Sequence, residues 1–217
     1  MNDTLRLILN FSIIIPVIIS WIRFKKINPV YYPFIFYLWL GLINETLSRI
    51  LGKYFHSNAI NSNIYILLES FLIAWQFYAW GLFKHLKKLY VAMLSTFLIA
   101  WLLENFVFFD FNHFSSYFRI GYFFIVVLMS IAFINILLVR ERKSLLTNPT
   151  FLICVSFAIY YTYSILVEIF WAYGLNTGQD FQKNIYRVLL FFNAFAYIVY
   201  SFAIIWMRTK QRFTLPS

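Results

Sequence analysis

The chain reads as long apolar runs separated by short polar connectors. Seven runs of roughly 17–25 residues stand at about 5–22, 33–51, 64–83, 89–108, 117–139, 151–173 and 185–207. Each is long enough to cross about 30 Å of hydrocarbon at about 1.5 Å per residue. The runs are apolar on all sides and do not alternate, so they do not read as the strands of about ten residues that build a membrane β-barrel. The pattern predicts an all-α, polytopic membrane protein. Its single domain, 1–217, is a bundle of seven transmembrane helices. Pro33 fits the first turn of the second helix, whereas Pro16 lies inside the first helix and is expected to kink it. The connectors are short, so consecutive helices should be antiparallel neighbours. No long soluble loop and no internal repeat is visible.

Composition removes the soluble alternative. Hydrophobic residues make up 62% of the chain, aromatic residues 23% and charged residues only 12%. A soluble domain carries about twice that charge and could not cover so much apolar surface. The first run also reads as a spanning helix and not as a signal peptide. It follows Met1-Asn2-Asp3-Thr4, and its basic residues come after it, not before. Cys154 is the only cysteine, so an internal disulfide is excluded. The bias toward Ile, Phe, Asn, Tyr and Lys suggests an AT-rich bacterial genome. That places the protein, as an expectation, in a bacterial inner (cytoplasmic) membrane.

Basic residues set the orientation. Arg23, Lys25 and Lys26 follow the first run; Lys84, Lys87 and Lys88 the third; Arg140, Arg142 and Lys143 the fifth; Arg208, Lys210 and Arg212 the seventh. These twelve of the eighteen basic residues all fall on alternate connections. Arg6, Arg49, Lys53, Arg119, Lys183 and Arg187 lie toward the other side. The positive-inside rule then puts the N-terminus outside and the C-terminus in the cytoplasm, which requires an odd number of spans. The net charge of +10 is this topology signal, and no nucleic-acid partner is expected. The partner it does imply is the bilayer, with anionic lipid near the basic clusters.

Charge inside hydrocarbon costs at least about 2.5–3.5 kcal/mol per group, so it normally has a partner and a purpose. Glu45 and Glu69 lie about 8–10 Å from the outer ends of the second and third runs at about 1.5 Å per residue. Glu168 is at a similar depth in the sixth run, and Glu104 closes the fourth. Arg49, Arg119 and Arg187 lie in outer turns of the second, fifth and seventh. Glu45 and Arg49 are spaced i,i+4 and can pair. Ser62, Tyr65, Glu69 and Gln76 form one helical stripe. Tyr161, Ser164 and Glu168 form a second, with Cys154 one heptad earlier, and Tyr186, Asn193, Tyr197 and Tyr200 form a third. Polar stripes face a bundle interior. The expectation is an outer-facing, aromatic-walled polar cavity over an apolar inner half. Its candidate ligand-binding residues are Glu45, Arg49, Tyr65, Glu69, Glu104, Arg119, Tyr161, Glu168, Arg187 and Asn193. The competing reading makes these groups helix–helix glue, with the outer arginines snorkelling to the interface.

Catalytic signatures are scarce. His56, His85 and His113 lie in or near loops, which argues against an intramembrane zinc hydrolase and against any metal site. No GxSxG, HExxH or P-loop occurs. A retinal protein would need a lysine midway along the last helix, where Asn193 and Ala194 stand. The segment Asn44-Glu45-Thr46-Leu47-Ser48-Arg49 resembles the EExxxR signature of CAAX-type intramembrane peptidases, and Phe109-Asp110-Phe111-Asn112-His113 their FxxxH. Asn44 stands where that family has its water-activating Glu, and a third motif is missing. No enzymatic activity and no cofactor are therefore expected.

The layout also resembles small seven-helix bacterial membrane proteins of unknown function, some associated with sensor kinases. The resemblance is carried by Asn63-Ile64-Tyr65-Ile66-Leu67-Leu68-Glu69 and by Asn193-Ala194-Phe195-Ala196-Tyr197. It implies no catalytic residues. Two function classes follow. One is a sensor or receptor that binds a small molecule or lipid and signals to a cytoplasmic or membrane partner. The other is a proton- or cation-coupled transporter, or an oligomeric channel, using the intramembrane glutamates. A transporter favours inverted repeats and broken helices, and a channel favours polar lining along its whole length. The sequence offers neither beyond Pro16, which favours the sensor.

Overall fold

The computed structural model describes residues 8–55, 57–140, 145–173 and 179–207, apart from the side chains of residues 140, 179, 180, 182 and 183. Of the orientation signal, Arg6, Arg142, Lys143, Arg208, Lys210 and Arg212 lie outside the described residues, as do His56 and the side chains of Arg140 and Lys183. Among the described residues the regular elements are helical. They are α1 (Ile14–Arg23), α2 (Tyr32–Phe55), α3 (Ala59–Ala79), α4 (Lys87–Leu103), α5 (Ser116–Arg140), α6 (Pro149–Ala172) and α7 (Gln179–Trp206). Short 3-10 turns at Pro29–Tyr31 and Leu145–Thr147 lead into α2 and α6, and a wider π-type turn, Glu104–Phe108, ends α4.

Five segments are long and apolar enough to cross a membrane: Pro29–Phe55, Lys87–Phe108, Ser116–Val139, Pro149–Ala172 and Asn184–Trp206. This is the pattern of a multi-pass membrane protein. The helix α3 has 21 residues but a more polar sequence. Its Asn63, Glu69, Ser70 and Gln76 are buried inside the bundle, while Ile60, Ile64, Leu68 and Trp75 face outward. Its lower hydropathy is thus carried by the face turned away from lipid. The first apolar helix, Ile8–Arg23, is shorter. Helical bonding is interrupted at Ser12 and Ile13, one turn before Pro16. That is the expected position, because the ring of a proline clashes with the carbonyl four residues earlier and cannot bond to it. Ser12 instead donates its hydroxyl to the Leu9 carbonyl at 2.6 Å.

The helices form a ring. Each consecutive pair is in contact, and α1 closes the ring on α7. The pairs α5–α6 and α6–α7 are the most extensive, while α4 sits outside the α3–α5 seam and touches α5 only sparsely. The outer surface is studded with exposed Ile, Leu, Phe and Val, whereas Ser20, Asn63, Glu69, Ser70, Gln76, Ser130 and Ser164 are buried. A water-soluble protein has the opposite distribution; a helix bundle in lipid keeps its polar groups inside.

Local chemistry places the ends. Asn148 accepts backbone N–H bonds from Thr150 at 2.9 Å and Phe151 at 3.3 Å, with Pro149 at the first helical position, and this starts α6. Gly81 ends α3 with φ of 91°. The Leu82 N–H reaches the Phe77 carbonyl at 3.1 Å and the Gly81 N–H reaches Tyr78 at 2.9 Å, the paired bonds of a left-handed glycine cap. Arg23 leaves the basic end of α1 and donates to the Ile205 carbonyl at 2.7 Å and the Met207 carbonyl at 3.4 Å. A cation thus closes the C-terminal end of α7, where the helix dipole is negative.

The half of the bundle nearest the basic clusters is filled by rings. Phe34, Phe157 and Tyr200 meet one another, with Phe34–Tyr200 centroids 5.1 Å apart, and Phe77 joins Phe157 to Phe133 and Trp80. Ile73, Ala74, Ile153 and Cys154 fill the gaps at 1% exposure or less. The deep amide of Gln76 is consumed there: it accepts from the Phe34 N–H and donates to the Val30 carbonyl, both at 2.8 Å.

Candidate functional site

At the other end, α2, α3, α5, α6 and α7 draw apart around a partly enclosed polar cavity of about 210 Å³. The first and middle turns of α2 contribute Tyr37, Gly41, Asn44 and Glu45, and the N-terminal half of α3 contributes Ser62, Tyr65, Ile66 and Glu69. Arg119 and Phe123 come from the start of α5; Tyr160, Tyr161, Ser164, Val167 and Glu168 from α6; Tyr186, Leu189, Asn193 and Tyr197 from α7. The lining positions within each helix recur at spacings of three and four, so each presents one face.

Glu69 is the deepest carboxylate, with the residue 4% exposed. Its Oε1 accepts the hydroxyl of Tyr122 at 3.3 Å and that of Tyr161 as well, and Tyr65 also hydrogen-bonds to it. Phenol donors thus stand in for lost hydration. Arg119 spans the cavity side wall: one nitrogen reaches Glu168 at 3.1 Å and the other the Ser62 hydroxyl at 2.6 Å. Its guanidinium carbon lies 5.4 Å from the Phe114 ring centre. Arg119–Glu168 is the ion pair among the described residues, and both side chains are largely buried. Asn61 bridges the rim, donating to Asn44 at 2.8 Å and Ser48 at 3.0 Å and so tying α3 to α2.

Of the ten residues singled out from sequence, Glu45, Tyr65, Glu69, Arg119, Tyr161, Glu168 and Asn193 line this cavity. Three lie elsewhere. Glu104 accepts the Tyr117 N–H at 3.0 Å and the Phe118 N–H at 2.6 Å. Its carboxylate closes the start of α5, where the helix dipole is positive. It borders a separate, largely apolar groove of about 650 Å³ between α4 and α5. Arg49 does not pair with Glu45; its guanidinium carbon lies 4.4 Å from the Phe11 ring centre. Burial of that cation against an aromatic face replaces the i,i+4 bridge. Arg187 is directed outward and donates to its neighbour Asn184 at 3.0 Å.

Sequence reasoning passed over several lining residues. Tyr37, Gly41 and Asn44, with Ser48 beyond them, are spaced four, three and four along α2, a stripe as regular as those identified. Tyr122 is three residues after Arg119, on the same side of α5. Tyr160 carried no such signal, because Tyr161 already marks the stripe and adjacent helical residues point about 100° apart; only a cavity wide enough to be seen by both brings it in. The buried amide network beside the cavity was also missed. Asn63 donates to Asn105 at 2.9 Å and to the His113 carbonyl at 2.6 Å, and accepts from the Ser115 N–H at 3.1 Å. Trp101 donates back to the Asn63 carbonyl at 2.8 Å. These bonds hold the 104–115 connection in place. The His113 ring stacks on Phe109 and is not part of the cavity wall.

The chain matches no protein-family model, no curated protein and no solved structure.

Proposed function

We propose that this is a membrane receptor or sensor whose cavity takes up a small ligand from the outer side and reports it to a partner at the basic, cytoplasmic side. The observation that carries this reading is the asymmetry of the bundle. A polar cavity lined by Glu45, Glu69, Arg119 and Glu168 sits at one end, over a half closed by Phe34, Phe77, Phe157 and Tyr200. A ligand can be held there without a polar path onward. A channel or transporter needs such a path in at least one state. The connection to the dry half is direct: Tyr37 lines the cavity and packs on Phe157 and Tyr200, with centroids 5.8 and 6.4 Å away. Movement of α2 against α6 and α7 would carry occupancy of the cavity toward the Arg23–α7 junction.

Orientation follows the basic clusters, with the N-terminus outside and the C-terminus inside. The alternative class, a proton- or cation-coupled transporter or oligomeric channel, is tested in proteoliposomes. The reconstituted protein is expected to leave a pH gradient and a potassium gradient intact, as read by entrapped dyes. Sustained flux above empty vesicles, lost in Glu69→Gln, would overturn the receptor reading.

A further inference from the structure

The chemistry of the cavity wall narrows its ligand. Among the described residues that line the space are the carboxylates Glu45, Glu69 and Glu168 and the cation Arg119. That cation is already committed, to Glu168 at 3.1 Å, to Ser62 at 2.6 Å and to the face of Phe114. Glu69 is buried, and no cation pairs with it among the described residues. Its Oε1 accepts O–H bonds from both Tyr122 and Tyr161. Hydrogen bonds from neutral phenols replace water and bring no positive charge of their own.

Much of the remaining wall is aromatic: Tyr37, Tyr65, Tyr160, Tyr186 and Tyr197 line the same space, beside Asn44, Asn193 and a few aliphatic side chains. Aromatic faces attract cations whose charge is spread over an organic body, and quaternary or protonated amines are recognised by such walls. A compact inorganic cation is less well served. The carboxylates are distributed around the space and do not converge as a ligand set among the described residues, whereas hard cations need several oxygens at one point. The volume, about 210 Å³, lies below the range of about 300–1,000 Å³ typical of drug-sized sites.

We infer that the cavity binds a small organic ammonium ion, its charge against Glu69 and its apolar part against the tyrosine walls. This rests on the receptor reading of the same cavity. The test uses the full-length protein in nanodiscs and three probes of matched shape: benzylammonium, benzyl alcohol and benzoate. Calorimetric titration and thermal unfolding are read for each. Benzylammonium should bind and raise the melting temperature, with affinity at least tenfold above benzyl alcohol and no binding of benzoate. Glu69→Gln should weaken benzylammonium at least tenfold, while Glu104→Gln, outside the cavity, should leave it unchanged. The probe series needs no variant, so a Glu69→Gln protein that fails to fold does not remove the test. Equal binding of benzyl alcohol, preference for benzoate, or no binding of any probe overturns the ammonium inference. A neutral or anionic probe whose binding depends on Glu69 would do so while leaving the receptor reading standing, and ion flux in proteoliposomes would overturn that reading separately.

Discussion

Asn63 shows how much a single buried amide holds. Its side chain serves Asn105, the His113 carbonyl and the Ser115 N–H, and its own carbonyl takes the Trp101 indole. Asn63→Ala leaves the buried Ser115 N–H without its acceptor and takes the amide donor from the His113 carbonyl, at about 1–3 kcal/mol for each group left unpaired. We expect the variant to lose at least about 2 kcal/mol of stability, measured by chemical denaturation in detergent. Glu104 behaves differently. Its carboxylate serves only the first N–H groups of α5, so Glu104→Gln should cost about 1 kcal/mol or less. Both residues are buried and polar, and the sequence marks Glu104, but not Asn63, as a candidate binding residue. Which buried polar groups face a cavity and which face backbone is decided by helix rotation, which no local pattern specifies completely.

Among the elements, the helix ends were readable and the helix irregularities only partly so. Asn148-Pro149 and Pro16 announce their effects because proline lacks an N–H and restricts the chain around it. Gly81 shows its effect only in the structure, where φ is 91° and no other atom lies near the place of a Cβ. Gly81→Ala should therefore cost about 1 kcal/mol from backbone strain alone, read as a lowered midpoint in thermal unfolding, with probe binding at the far end of the bundle unchanged. The π-type turn at Glu104–Phe108 left no mark in the apolar run that contains it. Within it Asn105 meets Asn63, a residue 42 positions away. Helix α3 shows the reverse problem. Its polar residues lower its hydropathy below that of the five clear spans, yet those same residues are the ones it turns inward.

For the molecule in its membrane, the prediction concerns orientation. Ser57 lies exposed between α2 and α3 near the cavity end, and Lys84 lies exposed near the basic end. In intact cells, Ser57→Cys should react with a membrane-impermeant maleimide and Lys84→Cys should react only after permeabilisation. Cys154 is fully buried, so the native thiol should contribute little background. The opposite labelling would invert the topology and place the cavity on the cytoplasmic side.

What the sequence determined by itself was the class of structure, a helical chain with several runs long and apolar enough to cross a membrane. Run length against bilayer thickness, alternating basic connectors and the 3.6-residue period are all local properties, and they suffice to mark helices, ends and polar stripes. They also placed Glu45, Glu69, Arg119 and Glu168 in one half of the chain's spans. Only the tertiary structure decided which of these meet. It paired Arg119 with Glu168, not with Glu69, turned Arg49 onto Phe11, set Glu104 at the start of α5, and closed the opposite half with rings from five helices. The physical reason is that partnership among buried groups depends on how far each helix is rotated about its axis. That rotation is set by packing against neighbours distant in the chain, and not by the helix's own sequence.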